Sequence, residues 1–309
     1  MTGVLIGIAV ATTFVVAVHL LRRFVPASVV TSGSLLGLLI PPAGLGVALW
    51  RLRDGAPSWQ ALSLFAGLFV ATGFGLTVGY HRLLTHGSFK TGPATKLILL
   101  VLGSMGLGSK PIDFAATHLR HHAHSDRSGD PHSPRDGFLH AHALWLLDPR
   151  RPHERERYCR RLLTDPVVRF VDRTAYAWFA LGVLGPLAIA GWDGFLWAGV
   201  ARVALQLNIT LGVNSVCHRF GSQPYDTHDD SRNNLPMAIL SLGEGWHNNH
   251  HAFPSLAYHG HGLRQPDFSA LLIRLLARLG LAWDVKEPAV ELLKRRRHEP
   301  VARTAEGGA

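Results

Sequence analysis

The segment His118-Leu-Arg-His121-His122 sets three imidazoles at positions i, i+3 and i+4, and His247-Asn-Asn-His250-His251 repeats the spacing far downstream. Residues so spaced share one stripe of an α-helix. Each segment is therefore read as a helix turning three ligand-type side chains one way, and two such helices face to face bring six nitrogens to one pocket. Two further segments belong with them, His81-Arg-Leu-Leu-Thr-His86 and Asn214-Ser-Val-Cys-His218. His81 and His86, five apart, lie about 140° apart on an ideal α-helix, a separation that would let them serve two different metal ions. Asn214 and His218, four apart, face inward together.

These segments hold nine histidines, whereas one zinc ion takes about four ligands. The set suits two metal ions of higher coordination number, and imidazole is compatible with iron, copper, nickel or zinc. Soluble di-iron bundles combine Glu with Glu-x-x-His segments; a carboxylate-bridged site of that kind is not expected here. Of the 19 histidines in the chain, His19, His140, His142, His153, His228, His259, His261 and His298 are read as surface or packing residues.

Composition says where such a site would sit. The 309 residues are 47% hydrophobic and only 17% charged, with a mean hydropathy of +0.15. Soluble domains carry about a quarter charged residues, so lipid is expected to solvate part of the chain. Five apolar stretches approach the roughly 20 residues a membrane helix needs: 3–21, 29–50, 61–80, 175–189 and 192–213. A shorter one, 94–109, reads as an interfacial helix. The first stretch lacks a basic start and an A-x-A-like cleavage site, which favours a retained anchor over a signal peptide.

Lys and Arg crowd into 81–173 and from Arg219 onward, which places both regions in the cytoplasm. The turn Arg51-Leu-Arg-Asp-Gly-Ala-Pro57 then lies outside despite its two arginines. With this topology every histidine segment lies on one side of the membrane. The expected fold is all-α and integral to the membrane, with four or five transmembrane helices capped by a cytoplasmic helical domain. Residues 1–28 form an anchor, 29–288 the catalytic domain and 289–309 a basic, disordered tail.

Other function classes fit poorly. The net charge of +10 matches an anionic membrane surface better than nucleic acid, for which the chain has no zinc-finger spacing or RNA-binding signature. Cys159 and Cys217 form no C-x-x-C pair. A metal transporter would need ionisable residues inside its spans; the third carries none, and the fifth only Arg202 and, at its edge, Asp193.

The order H-R-L-x-T/S-H at 81–86, H-x-x-H-H-x-x-S/T-D at 118–126, D-P-H-S at 130–133 and G-E-G-W-H-N-x-H-H-x-F-P at 243–254 resembles the membrane fatty-acid desaturases of the stearoyl-CoA (Δ9) type. The resemblance covers 29–288, including Leu279-Gly-Leu-Ala-Trp-Asp-Val-Lys286. It implies O2-dependent insertion of a cis double bond into a saturated fatty acyl chain, Δ9 of an acyl-CoA, at a multi-pass inner membrane. A fatty acyl hydroxylase or an acyl-lipid desaturase would share the fold. It also implies that His81, His86, His118, His121, His122, His218, His247, His250 and His251 bind two irons, with Asn214 reaching one through a water. Asp130 and His132 would lie near the site as non-ligands, and Glu244 would steady the third box. Phe69 and Gly73, twelve and eight residues before His81, are the expected walls of an acyl tunnel.

Two departures bear on partners. Animal acyl-CoA desaturases carry W-A-R-D before the second box, with an arginine that helps bind coenzyme A; this chain has Phe114-Ala-Ala-Thr117. There is also no H-P-G-G haem-binding region, so electrons are expected from a separate ferredoxin- or rubredoxin-type donor and its reductase. The arginine-rich stretch 150–161 is a candidate docking face for that donor or for anionic lipid.

Overall fold

Helix α1 (Ser32–Trp50) contains Pro41 and Pro42 and runs into a tight turn over Arg51–Arg53. Ser58 then starts α2 (Trp59–Phe74), its Oγ accepting the Ala61 N–H at 3.2 Å, the usual device for an otherwise orphaned first-turn donor. No charged residue follows until Arg82. The rod does not stop at Phe74 but continues as a π-helix over Gly75–Thr85. Trp59–Thr85 is thus one element of 27 residues whose most apolar 18-residue stretch has mean hydropathy 1.9, and at about 1.5 Å per residue it exceeds the roughly 30 Å of bilayer hydrocarbon. This computed structural model describes residues 32–148, 154–289 and 293; the expected anchor and nearly all of the expected tail lie outside them.

Helix α3 (Pro93–Leu107) runs back along α2. Gly75 meets Gly103 and Gly79 meets Leu99 so closely that a Cβ on Gly75 would sit 2.1 Å from the Gly103 nitrogen; only glycine permits that approach. Gly108, at φ 63°, ends α3 in the left-handed conformation that favours glycine. After Lys110, α4 (Pro111–His124) leaves at a bend of 80°. The short helices α5 (Phe138–His142) and α6 (Arg155–Tyr158) follow.

The longest helical run, Pro166–Val216, has 51 residues and contains an 18-residue stretch of mean hydropathy 1.5. It comprises α7 (Pro166–Asp193), a π-helical stretch over Gly194–Ala201 and α8 (Arg202–Val216). Ala190 and Gly191 leave helical geometry, Gly191 at φ 59°, and the chain doubles back there. A Cβ on Gly194 would meet the Pro186 carbonyl, one on Gly199 would meet that of Val183, and Arg202 reaches the Gly182 carbonyl at 3.0 Å. Rising numbers on one limb meet falling numbers on the other, so this is a helical hairpin. Its turn lies beside the start of α2, where the Ser58 N–H donates to Asp193 at 3.3 Å. Consequently α2 and α8 both start at one end of the bundle and deliver His81 and Asn214 to the other.

That far end is built from α9 (Leu235–Leu240), α10 (His247–Ala252) and α11 (Phe268–Arg278). A two-residue ribbon, β1 (Lys90–Thr91) against β2 (Ala282–Trp283), pairs Lys90 with Trp283 and clips the C-terminal segment beneath the first histidine box. Among the described residues two helices are long and apolar enough to cross a membrane, or three if the bent α3–α4 pair counts as one broken span. On α7, Leu181, Leu184, Ile189 and Trp192 are each at least half exposed, an apolar surface that lipid would cover.

Candidate metal centre

The nine histidines converge as two adjacent clusters. His81, His86, His118, His122 and His250 form the first, and His121, His218, His247 and His251 the second, the ligand atoms of each lying within 4.8 Å of one another. Each H-x-x-H-H box divides. From α4, His118 and His122 enter the first cluster and His121 the second; from α10, His247 and His251 enter the second and His250 the first. The boxes therefore do not feed one pocket of six nitrogens, as helix periodicity alone suggests, but exchange one ring each between two pockets.

The nitrogen spacing tests whether a metal fits. Two nitrogens about 2.1 Å from one ion lie about 3.0 Å apart at right angles and about 3.4 Å apart in a tetrahedron. In the first cluster Nε2 of His81 lies 2.9 Å from that of His118, 3.2 Å from that of His250 and 3.1 Å from that of His86. His122 lies 2.9 Å from both His118 and His250. In the second, His247 lies 3.0 Å from His218 and 3.1 Å from His251, and His121 lies 3.4 Å from His251. The first set is the near-perpendicular spacing of five- or six-coordinate ions.

The outer nitrogens show which tautomer is held. His121 Nδ1 donates to Asp130 at 3.0 Å, His218 Nδ1 to Asp126 at 2.8 Å and His251 Nδ1 to Asp229 at 2.7 Å, while His81 Nδ1 lies 2.5 Å from Glu244. With the proton on Nδ1, the Nε2 lone pair faces the cluster, the usual arrangement behind a metal-bound histidine. Burial first, and then neighbouring imidazoles, push His247, His250 and His251 well below the ordinary histidine range. They are neutral, as ligands must be. Burial alone would raise the Asp126 carboxyl, but the His218 bond and charge, the Asp230 N–H and the Ser133 hydroxyl outweigh it and hold the group far below the usual carboxylate range.

Both clusters border a cavity of about 590 Å³ that reaches His81, His118 and His247 at one end and Gly73 and Phe69 on α2 at the other, with Asn214 in its wall. Residues 57–278 match the fatty acid desaturase family model. The chain belongs to that family. It is 35% identical to the hex-5-enoyl-[acyl-carrier protein] acetylenase of Moorena producens, over 85% of this chain and 88% of that one. It is 38% identical to the sn-1 stearoyl-lipid 9-desaturase of Anabaena variabilis (77% and 89%) and 37% identical to the acyl-CoA C20 Delta5-desaturase of Anemone leveillei (77% and 78%). This desaturase-family chain is accordingly an oxidoreductase. The relatives span three acyl carriers, and the stearoyl-CoA Δ9 type is not singled out.

Three readings need correction in this family member. His81 and His86 join the same cluster rather than serving two ions. The π-helix explains it: its i→i+5 bonding, seen as the His86 N–H donating to the His81 carbonyl at 3.1 Å, brings residues five apart together. Glu244-Gly-Trp-His247 does carry the Glu-x-x-His spacing of soluble di-iron bundles, which the sequence reading overlooked. Its carboxylate turns to His81 and to buried Arg82 at 3.0 Å instead of joining His247. Finally, Arg155 is no free docking charge, because it pairs with Asp113 and Asp172; residues 150–153 of that stretch lie outside the described residues.

The sequence reading missed Asp126, Asp229 and Arg82. Asp126 closes the second box motif and Asp229 sits in the acidic run Asp226-Thr-His-Asp-Asp230; the need of each ligand ring for an outer carboxylate was the available signal. Arg82 bridges Glu244 and Asp267 and donates to the Ala257 carbonyl at 2.8 Å, tying α2 to α11. His132 lies tilted against His121, ring centres 4.3 Å apart, and its buried Nδ1 faces Asp130 at 3.8 Å with no hydrogen-bond partner among the described residues. His259, read as a packing residue, is fully buried beside His250, ring centres 4.5 Å apart.

Proposed function

We propose that this chain uses O2 to introduce a cis double bond into a saturated fatty acyl chain, with Δ9 of an acyl-CoA as the first candidate. The observation that carries the reading is the meeting of two imidazole clusters with the end of a largely apolar cavity. The donor set fits two irons, held by His81, His86, His118, His122 and His250 on one side and by His121, His218, His247, His251 and, through a water, Asn214 on the other. Iron, when bound, supplies the oxidising power that unactivated C–H bonds demand and no side chain provides.

The protein's own part is placement. Each methylene leaving water for the cavity gains about 0.8 kcal/mol, so the chain threads past the clusters towards Gly73 and Phe69. Asp126, Asp130, Asp229 and Glu244 hold the rings in one tautomer, and Asp130 also accepts the His132 N–H at 3.0 Å. We read residues 29–288 as one catalytic unit in the cell membrane, with α1, α2, α7 and α8 as spans, 3–21 as a fifth, and the metal end cytoplasmic because the basic loops lie there.

A second reading concerns the carrier. Phe114-Ala-Ala-Thr117 replaces the segment bearing the coenzyme A-contacting arginine, and relatives act on lipid- and acyl-carrier-protein-borne chains. Gas chromatography of cells with and without the protein, resolved by lipid class, tests both. New cis monoenes are expected; only hydroxylated or acetylenic products, or none from iron-loaded protein, would overturn the proposal. Purified enzyme with NADPH alone should be inactive and should turn over once a ferredoxin or rubredoxin and its reductase are added.

A further inference from the structure

Arg202 is fully buried in the midst of the apolar bundle and, among the described residues, has no carboxylate partner. All five of its N–H groups are used otherwise. Nε donates to the Ala198 carbonyl at 2.8 Å, Nη2 to the carbonyls of Gly182 at 3.0 Å and Met105 at 3.3 Å, and Nη1 to Thr72 Oγ1 at 3.2 Å and Gln206 Oε1 at 3.4 Å. The guanidinium thus ties α2, α3, α7 and α8 together. Burying a charge without a counter-ion is costly, and such a residue inside a span marks function before structure.

Its consequence is the orientation of Gln206. The Thr72 hydroxyl lies 2.6 Å from both the Leu68 carbonyl and Gln206 Oε1 and can donate to only one of them, so the assignment of the Gln206 atom as oxygen rests on the Arg202 N–H 3.4 Å away, which requires an acceptor there. The amide nitrogen is left facing Gly73, 3.3 Å from where a Cβ on that glycine would stand. Among the described residues nothing accepts from it. Gln206 lines the cavity, and of the α8 residues that do, it lies furthest from Asn214; Arg202, one turn on, does not line it.

The geometry points to Gln206 as the stop for the methyl end of the acyl chain, with Arg202 and Thr72 as positioning residues; this rests on the cavity being the acyl tunnel. A chain pressed beyond Gln206 would seal two amide N–H donors against hydrocarbon, and a shorter chain would not. Eight helical residues separate Gln206 from Asn214, roughly 12 Å. A zigzag of C–C bonds of about 1.5 Å advances about 1.25 Å per carbon, so about nine or ten carbons fit between the oxidised pair and the stop.

The test compares iron-loaded Gln206→Leu, Thr72→Val and Gly73→Leu enzymes on an equimolar ladder of saturated chains, reading product length and double-bond position. Gln206→Leu should raise the yield from chains with two or more extra carbons beyond the bond, relative to the parent length. An unmade hydrogen bond of 1–3 kcal/mol sets the change at about five- to 150-fold. Thr72→Val, which frees the amide to turn, should move the profile the same way by less, and decides the matter if Gln206→Leu does not fold. Unchanged profiles in both, with Gly73→Leu shifting product to shorter chains, would overturn the stop and leave the tunnel standing. Unchanged profiles in all three would overturn the tunnel and the stop together.

Discussion

The two histidine clusters are built differently although the same boxes supply them. Among the described residues the first has five imidazoles but one outer carboxylate, Glu244 on His81, which it shares with Arg82. The second has four imidazoles, three of them backed by Asp126, Asp130 and Asp229. Carboxylate backing raises the basicity of a ligand ring, so the second cluster makes up in donor strength what it lacks in number. Number of rings and carboxylate backing are thus divided between two sites fed by the same boxes.

The strongest challenge to that contrast is to remove rings. His118→Ala, His218→Ala and His250→Ala should each lower bound iron and cut desaturation by at least about 100-fold, given the size of single-ligand and supporting-partner effects on metal sites. Iron analysis beside product yield reads this, and undiminished activity in all three would end the ligand assignment.

Outer carboxylates come next. Asp126→Asn and Asp229→Asn should weaken iron by about 10–100-fold at the second cluster alone, and Glu244→Gln should do so at the first. Mössbauer spectra of titrated protein would resolve the two sites; equal loss at both in every variant would show that the clusters act as one.

Acid offers a smaller, graded probe. His247, His250 and His251 have lowered values in the fold, so below about pH 6.5 the unfolded chain binds protons that the folded chain does not. Metal-free protein should lose about 1.4 kcal/mol per pH unit for each such ring from pH 6.5 downward. The Asp126 contribution has the other window: being depressed, it is full above about pH 4 and fades only below. Thermal midpoints that stay flat between pH 6.5 and 5 would contradict the neutral-ring assignment.

The mildest effect is on product length. Gly73→Leu, whose added carbons meet Leu242 and Gln206, should favour shorter chains, and Phe69→Ala longer ones, each by a few-fold in product ratio. Active variants with identical profiles would place both residues outside the acyl path.

Much of this architecture was legible beforehand because it follows from periodicity. The i, i+3, i+4 boxes did mark helices, and the apolar runs near 175–189 and 192–213 did separate at Gly191. What stayed hidden depends on departures from regular helix. The π-helical turn that unites His81 with His86 has no spacing signature when an α-helix is assumed. Asp229 reaches His251 across 22 residues and Arg82 reaches Glu244 across 162, through folding that no local pattern encodes. Glu244 was expected to steady the third box, yet in three dimensions its carboxylate meets His81 and Arg82 of the first.

The π-helical segment also makes the first box a matter of spelling. On a regular α-helix the residues that stack are four apart, so a metal pair written there needs three intervening residues. On a π-helix the same pair needs four, and this chain has Arg82, Leu83, Leu84 and Thr85. A single-residue deletion within that stretch would not abolish the pair but restate it, provided the helix relaxes to α. Insertion, by contrast, has no regular helix left to absorb it. The first box should therefore accept the loss of a letter far more readily than the gain of one.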